Sequence, residues 1–181
     1  VDKPPVSTED SVIVDNGPAY IKYTILKGQH YCDRSSIRSF SGDQINFKVK
    51  FDSTAIYKTI NADNQEDINK LYGITEGIDN HTNSARIGWS WNNNALRLYA
   101  YAYAGGERSF KEISTVAIGV EITCNITISG KHYLFAVNDK KVELDRSLSG
   151  SPVSGYWQFP YFGGDEVAPH NTYIYILDFK K

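Results

Sequence analysis

Strict two-residue alternation of apolar and polar side chains is the feature that most limits what this chain can become. In INFKVKFD, Ile45, Phe47, Val49 and Phe51 fall on one side, and Asn46, Lys48, Lys50 and Asp52 on the other. That period places every second residue on one face of an extended strand, the signature of an antiparallel sheet with one buried face. No window carries a convincing helical stripe. Further strands are predicted at about 20–27, 69–75, 84–91, 96–104, 108–113, 118–128, 131–138, 155–162 and 171–179, with turn signals at NNNA, SGK and VNDKKV. The polar stretch from Asp52 to Asp67 reads as a long loop with one helical turn near NQEDINKLY. Ten to twelve strands without an internal repeat give an all-β, two-sheet antiparallel β-sandwich of jelly-roll type.

The N-terminal VDKPPVSTED is polar and Pro-rich, so residues 1–10 are expected to be a flexible tether and 11–181 a single sandwich domain. A chain starting at Val1 suggests a trimmed form, and secretion or display on a bacterial surface, with a lipid anchor ahead of Val1, is the expected setting. No apolar run is long enough for a transmembrane helix. A formal net charge of −2, with Lys and Arg scattered, argues against a nucleic-acid partner. Cys124 lies on the apolar phase of EITCNITI and reads as a buried thiol rather than a partner of Cys32.

The densest functional signal is SARIGWSWNNNALRLYAYAYAGG. With NNNA as a four-residue hairpin loop, Trp91 faces Leu96, Trp89 faces Leu98 and Ile87 faces Ala100. Those side chains, with Ala102, form a core face. The opposite face then carries Arg86, Gly88, Ser90, Arg97, Tyr99, Tyr101 and Tyr103. Phenols and guanidinium groups are costly to bury without partners, so this face is expected to line a half-open, water-accessible trough. Tyr rings stack on sugar rings, and Arg binds hydroxyls and carboxylates. The expected ligand is therefore a polysaccharide or oligosaccharide, held by Arg86, Ser90, Arg97, Tyr99, Tyr101 and Tyr103, with Trp157 and Tyr161 extending the site. The phase of Trp157 does not separate core from site. Tyr is also a good strand residue that tolerates a wet face, which is the structural alternative.

A second stretch, GYWQFPYFGGDEVAPHNTYIYI, joins an aromatic strand, a Gly-Gly break, an acidic pair and a last alternating strand. With ITISGKHYLFAVNDKKVEL, whose two strands flank a Gly turn and lead into a short third, it resembles the C-terminal half of concanavalin A-like lectin/glucanase jelly rolls. The likeness runs from roughly Lys70 to Phe179 and extends to secreted or lipid-anchored β-sandwich domains of Bacteroidetes-type bacteria. The resemblance implies carbohydrate binding or carbohydrate chemistry. The Glu-x-Asp-x-x-Glu strand of the glucanases is missing, so hydrolysis by paired carboxylates is not expected. Lyases of this fold pair an Arg strand and a Gln-x-His strand with C-terminal tyrosines. Here Gln29 and His30 are adjacent, so their side chains alternate faces; Arg86 with His81, His170 and Tyr161 remains as a lyase set. Non-catalytic glycan binding is the first expectation, a uronate-directed polysaccharide lyase the alternative, and an adhesive protein-binding surface the third. No cofactor is required, although Asp33, Asp165 and Glu166 are weak candidates for a structural calcium.

Overall fold

The computed structural model describes residues 19–179. Along this span run strands β1 (Ile21–Ile25), β2 (Ser39–Gly42), β3 (Gln44–Phe51), β4 (Asn69–Glu76), β5 (Asn83–Asn92) and β6 (Ala95–Ala104). They are followed by β7 (Glu107–Val116), β8 (Ile122–Ser129), β9 (His132–Val137), β10 (Lys140–Asp145), β11 (Val153–Gln158) and β12 (Thr172–Asp178). The strands form two antiparallel six-stranded sheets, ordered β1-β12-β3-β8-β9-β10 and β2-β11-β4-β5-β6-β7. The expected tether at residues 1–10 lies outside the described residues.

The alternation in β3 is realised directly: Ile45, Phe47, Val49 and Phe51 are buried while their neighbours along the strand are not. They face the other sheet, where Phe47 meets Tyr72 edge-on at 5.1 Å and Phe51 meets Trp89 at 5.4 Å between ring centroids. Burying each such ring contributes about 1.5–3 kcal/mol, which makes this inter-sheet seam the main source of stability. Cys32 and Cys124 are both buried free thiols.

The β5–β6 hairpin has the register that the sequence implies, with Trp91 opposite Leu96, Trp89 opposite Leu98 and Ile87 opposite Ala100. Its turn is tighter than expected. Asn92 pairs with Ala95, so the loop is only Asn93-Asn94, both with positive φ (50° and 56°). Asn tolerates the left-handed region, and two such residues give a turn whose twist matches the strands. Short polar β2 has no period long enough to read, yet it pairs with β11. The strand expected at 155–162 ends at Gln158, and Tyr161 instead forms isolated bridges to Tyr31 and to Lys70.

The stretch between β3 and β4 lies against β5 and carries two short 3-10 turns, Ser53–Ala55 and Ala62–Glu66. Gln65 fastens it by donating from Nε2 to the carbonyls of Trp91 (2.7 Å) and Tyr57 (3.2 Å). Elsewhere, Arg146 grips buried Glu76 through two 2.7 Å bonds, and Tyr133 donates to the same carboxylate.

Candidate functional site

Strand register assembles the site on the face of the second sheet turned away from the core. One row crosses five strands as Gln158, Gly73, Arg86, Tyr101 and Phe110; the next runs Tyr156, Thr75, Ser84, Tyr103 and Arg108. Lys70 joins this face because the β4 register slips between Lys70 and Tyr72. Lys70 then stands opposite Gly88, while Tyr72 keeps its core position opposite Ile87. A bulge of this kind re-aims a side chain that regular alternation would send to the other face.

Over these rows lies a cavity of about 410 Å³, whose lining includes Lys70, Arg86, Tyr101, His81, Tyr161 and Trp157. Tyr161 forms its far wall. The backbone bridge to Lys70 (2.9 and 3.0 Å) fixes it there, and its ring stacks on His30 at 5.3 Å and meets Tyr31 edge-on at 5.0 Å. Asn80 and Gln158 add amides, and Ser35 and Ser36 add hydroxyls.

The electrostatics of this cavity are one-sided. Arg86 is 6% exposed, and its Nε is buried without any hydrogen-bond partner among the described residues. Its guanidinium lies 5.3 Å from the Tyr101 ring centroid, and Lys70 Nζ lies 4.4 Å from the same ring. Burial, and then the neighbouring charges of Arg86 and Arg108, bring the Lys70 ammonium down to about 8. Among the described residues, Lys70 donates only to the Ile68 carbonyl, at 2.6 Å. Among the described residues no Asp or Glu lines the cavity, and the nearest acidic influence on Lys70 is Asp67, beside the lining residue Gly164. Burial and the Tyr31 hydroxyl push the Tyr161 phenol up, so it keeps its proton and can donate a hydrogen bond into the cavity.

The expected open trough exists only in part. Ser90 is fully buried and bonds the Tyr99 hydroxyl at 3.0 Å, and Tyr99 is itself 8% exposed beneath Ile68. The protein's own segment therefore fills that half. The fit is close enough that a Cβ on Gly88 would come within 2.4 Å of Ile68 Cγ2. Arg97 is neutralised by Glu112 (3.0 and 3.1 Å) and donates to the Asn92 carbonyl. Ser90, Arg97 and Tyr99 thus lie outside the cavity, because the loop before β4 folds onto them. Tyr103 stands beside it, edge-on to His81 at 5.2 Å. Trp157 is both wall and core, stacked on Tyr72 at 5.1 Å and covered by the Arg38 guanidinium at 4.0 Å.

Of the residues named for a lyase, Arg86, His81 and Tyr161 line the same cavity. His170 does not, since it donates from Nε2 to the Thr54 carbonyl at 2.8 Å, behind the β3–β4 segment. The calcium candidates are dispersed. Asp33 accepts the Thr24 amide, Glu166 accepts the amides of Ile60 and Asn61, and Asp165 is exposed. Among the described residues no three His, Cys, Asp or Glu side chains gather as metal ligands would. Lys70, Asn80, Gln158 and Tyr31 were not expected at the site. Lys70 depends on a bulge, Gln158 on the pairing of β11 with β4, and Asn80 and Tyr31 on how loops close, so no local pattern marks them.

The sequence matches no protein-family model and no curated protein. Its fold is similar to that of the alginate lyase AlyC3 (TM-score 0.60, 10% identity, 87% of this chain and 72% of that one). It is similar to a glycoside hydrolase family 16 endo-glucanase from Bacteroides ovatus (0.57, 10%, 89% and 80%). The PL7 alginate lyase AlyA1 from Zobellia galactanivorans is a third (0.54, 10%, 87% and 74%). These likenesses show the fold, a two-sheet antiparallel jelly-roll sandwich.

Proposed function

We propose that the cavity binds an acidic polysaccharide, taking the carboxylate of one sugar unit on Arg86 and Lys70 without cleaving the chain. The observation that carries this is the uncompensated charge: a nine-tenths buried guanidinium and a desolvated amine share a cavity lined by no carboxylate. Buried cations without a partner are expensive, and an incoming carboxylate supplies the partner through charge-assisted, two-point bonding to Arg86. The partly exposed Tyr161 offers ring surface to a pyranose, and the amides of Asn80 and Gln158 suit its hydroxyls. The proteins of similar fold are named as alginate lyases and an endo-glucanase, which supports a carbohydrate ligand. Such a polymer is met at a cell surface or in the medium, which supports an extracellular or surface setting for the protein.

A lyase is the second reading, favoured by the meeting of Arg86, His81 and Tyr161 in one cavity. With Arg86 neutralising a uronate, His81 as the base takes the proton from the carbon next to the carboxylate. The electron pair forms a carbon–carbon double bond, the glycosidic carbon–oxygen bond breaks, and Tyr161 protonates the leaving oxygen. Hydrolysis by two carboxylates about 5 Å apart has no residues here, since the cavity has no acidic lining. Titration calorimetry against neutral and uronate-containing oligosaccharides, with ultraviolet absorbance followed in parallel, separates these outcomes. Saturable uronate binding with flat absorbance is the expected result. Rising absorbance that Tyr161→Phe and His81→Ala abolish replaces the binding module by the lyase. Equal or absent affinity for neutral and acidic sugars overturns the assignment.

A further inference from the structure

The two residue rows that build the cavity continue past it and end on β7 in Phe110 and Arg108, neither of which lines the cavity. Phe110 is 51% exposed, and the Arg108 guanidinium lies 5.7 Å from its ring centroid. Arg108 is exposed, and no described carboxylate lies within ion-pairing distance of it. Glu112, the acidic residue farther along β7 on the same face, is already committed to Arg97. An aromatic run leads to this spot, from His81 to Tyr103 at 5.2 Å and from Tyr103 to Tyr101 at 6.0 Å between centroids. Tyr103 is the direct cross-strand neighbour of Arg108, and Tyr101 of Phe110.

We infer that Phe110 and Arg108 form a second sugar subsite, so that the ligand is a chain of several acidic units crossing β6 from the cavity to the sheet edge. The inference rests on the acidic-sugar assignment of the cavity. Adjacent strands lie about 4.8 Å apart, so β5 and β7 are separated by about 10 Å, and Arg108 lies one residue pair further along its strand than Phe110. The rigid Phe110 ring on β7 stands two strands from Arg86, so the unit it stacks on differs from the one whose carboxylate Arg86 holds. The exposed Phe110 ring supplies a stacking surface, and the unpaired guanidinium beside it supplies the anion contact, repeating in the open what the cavity provides under cover. A polymer with one negative charge per unit satisfies both places at once, and a neutral glucan satisfies neither guanidinium.

Calorimetric titration of the wild type, Phe110→Ala and Arg108→Ser with mannuronate and galacturonate, each as monosaccharide and tetrasaccharide, tests this. The expected result is tighter binding of a tetrasaccharide than of its monosaccharide in the wild type. Each variant should lower tetrasaccharide affinity about tenfold while leaving the monosaccharide within about twofold. Phe110→Trp should restore the affinity lost in Phe110→Ala, and Arg108→Ser should also flatten the salt dependence for the tetrasaccharide. Both side chains are exposed, so unchanged melting temperatures confirm intact folding. A wild type that binds monosaccharide and tetrasaccharide equally, or variants that leave tetrasaccharide affinity unchanged, overturns the second subsite alone. A wild type that binds none of these ligands overturns the cavity assignment and the subsite with it.

Discussion

Replacing Arg86 by Met should make the ligand-free protein more stable while removing its ligand affinity. Met keeps much of the stem that packs against Gly73 and removes a charge that has no carboxylate partner in its surroundings. Exchanging buried ionic groups for apolar ones of similar volume stabilises proteins by about 1–4 kcal/mol. Against this stands the lost attraction to the Tyr101 face, 5.3 Å away, at about 0.5–2 kcal/mol. The net expectation is a gain of roughly 1–2 kcal/mol, which for a domain of this size is about 3–6 °C in Tm. Loss of a desolvated charge contact costs the complex about 2–5 kcal/mol, at least a thirtyfold rise in Kd for a uronate oligosaccharide. Differential scanning calorimetry and titration on the same preparation measure both. A Tm that falls by several degrees with affinity retained would show that the guanidinium serves the fold, and the uncompensated-charge reasoning would be wrong.

Affinity should fall as pH rises from 7 to 9, because Lys70 is protonated below about 8 and neutral above it; calorimetry in buffers of different ionisation enthalpy should show proton uptake on binding near pH 8. The same group affects ligand-free stability with the opposite trend. Its pKa in the folded protein lies below the unfolded value of 10.5, so between about 8 and 10.5 the unfolded chain holds the extra proton and this contribution rises with pH. Glu76→Gln should cost about 3–5 kcal/mol in urea unfolding at an unchanged m-value, since it leaves Arg146 buried without its counter-charge, and sugar affinity should not move. Gly88→Ala should destabilise by about 1–3 kcal/mol through its clash with Ile68, and Ile68→Ala in the same chain should recover part of that loss in a double-mutant cycle.

What the sequence discloses of this molecule is whatever follows from period and register. The two-residue alternation places Phe47, Phe51 and Trp89 in one core, and the Asn-rich turn fixes the pairing that sets Arg86 against Tyr101. Tyr161 lies far from His81 and Arg86 in the sequence, and nothing local says that it meets them. The β4–β5 loop brings His81 over the rows, and the backbone bridge to Lys70 holds Tyr161 there. Strict alternation would put Lys70 on the side of Tyr72 and Ile74, toward the core, and only the slip in β4 register turns it onto the cavity face.

The filled half of the trough and the charged half have one cause. Ile68 lies over Gly88 and packs with Tyr99, which removes the phenols of that end from solvent. The same residue's carbonyl holds the Lys70 amine at 2.6 Å, beside Tyr101 and away from bulk water. Had the whole face stayed open, Lys70 and Arg86 would be hydrated, their charges would be screened, and a passing carboxylate would gain little from them. Because the β3–β4 segment closes one end, the remaining space has walls, and the cations within it keep an electrostatic demand that water does not meet. The same closure directs a long ligand, since from the cavity the Ile68 end is blocked and the face stays open across β6 toward Phe110 and Arg108.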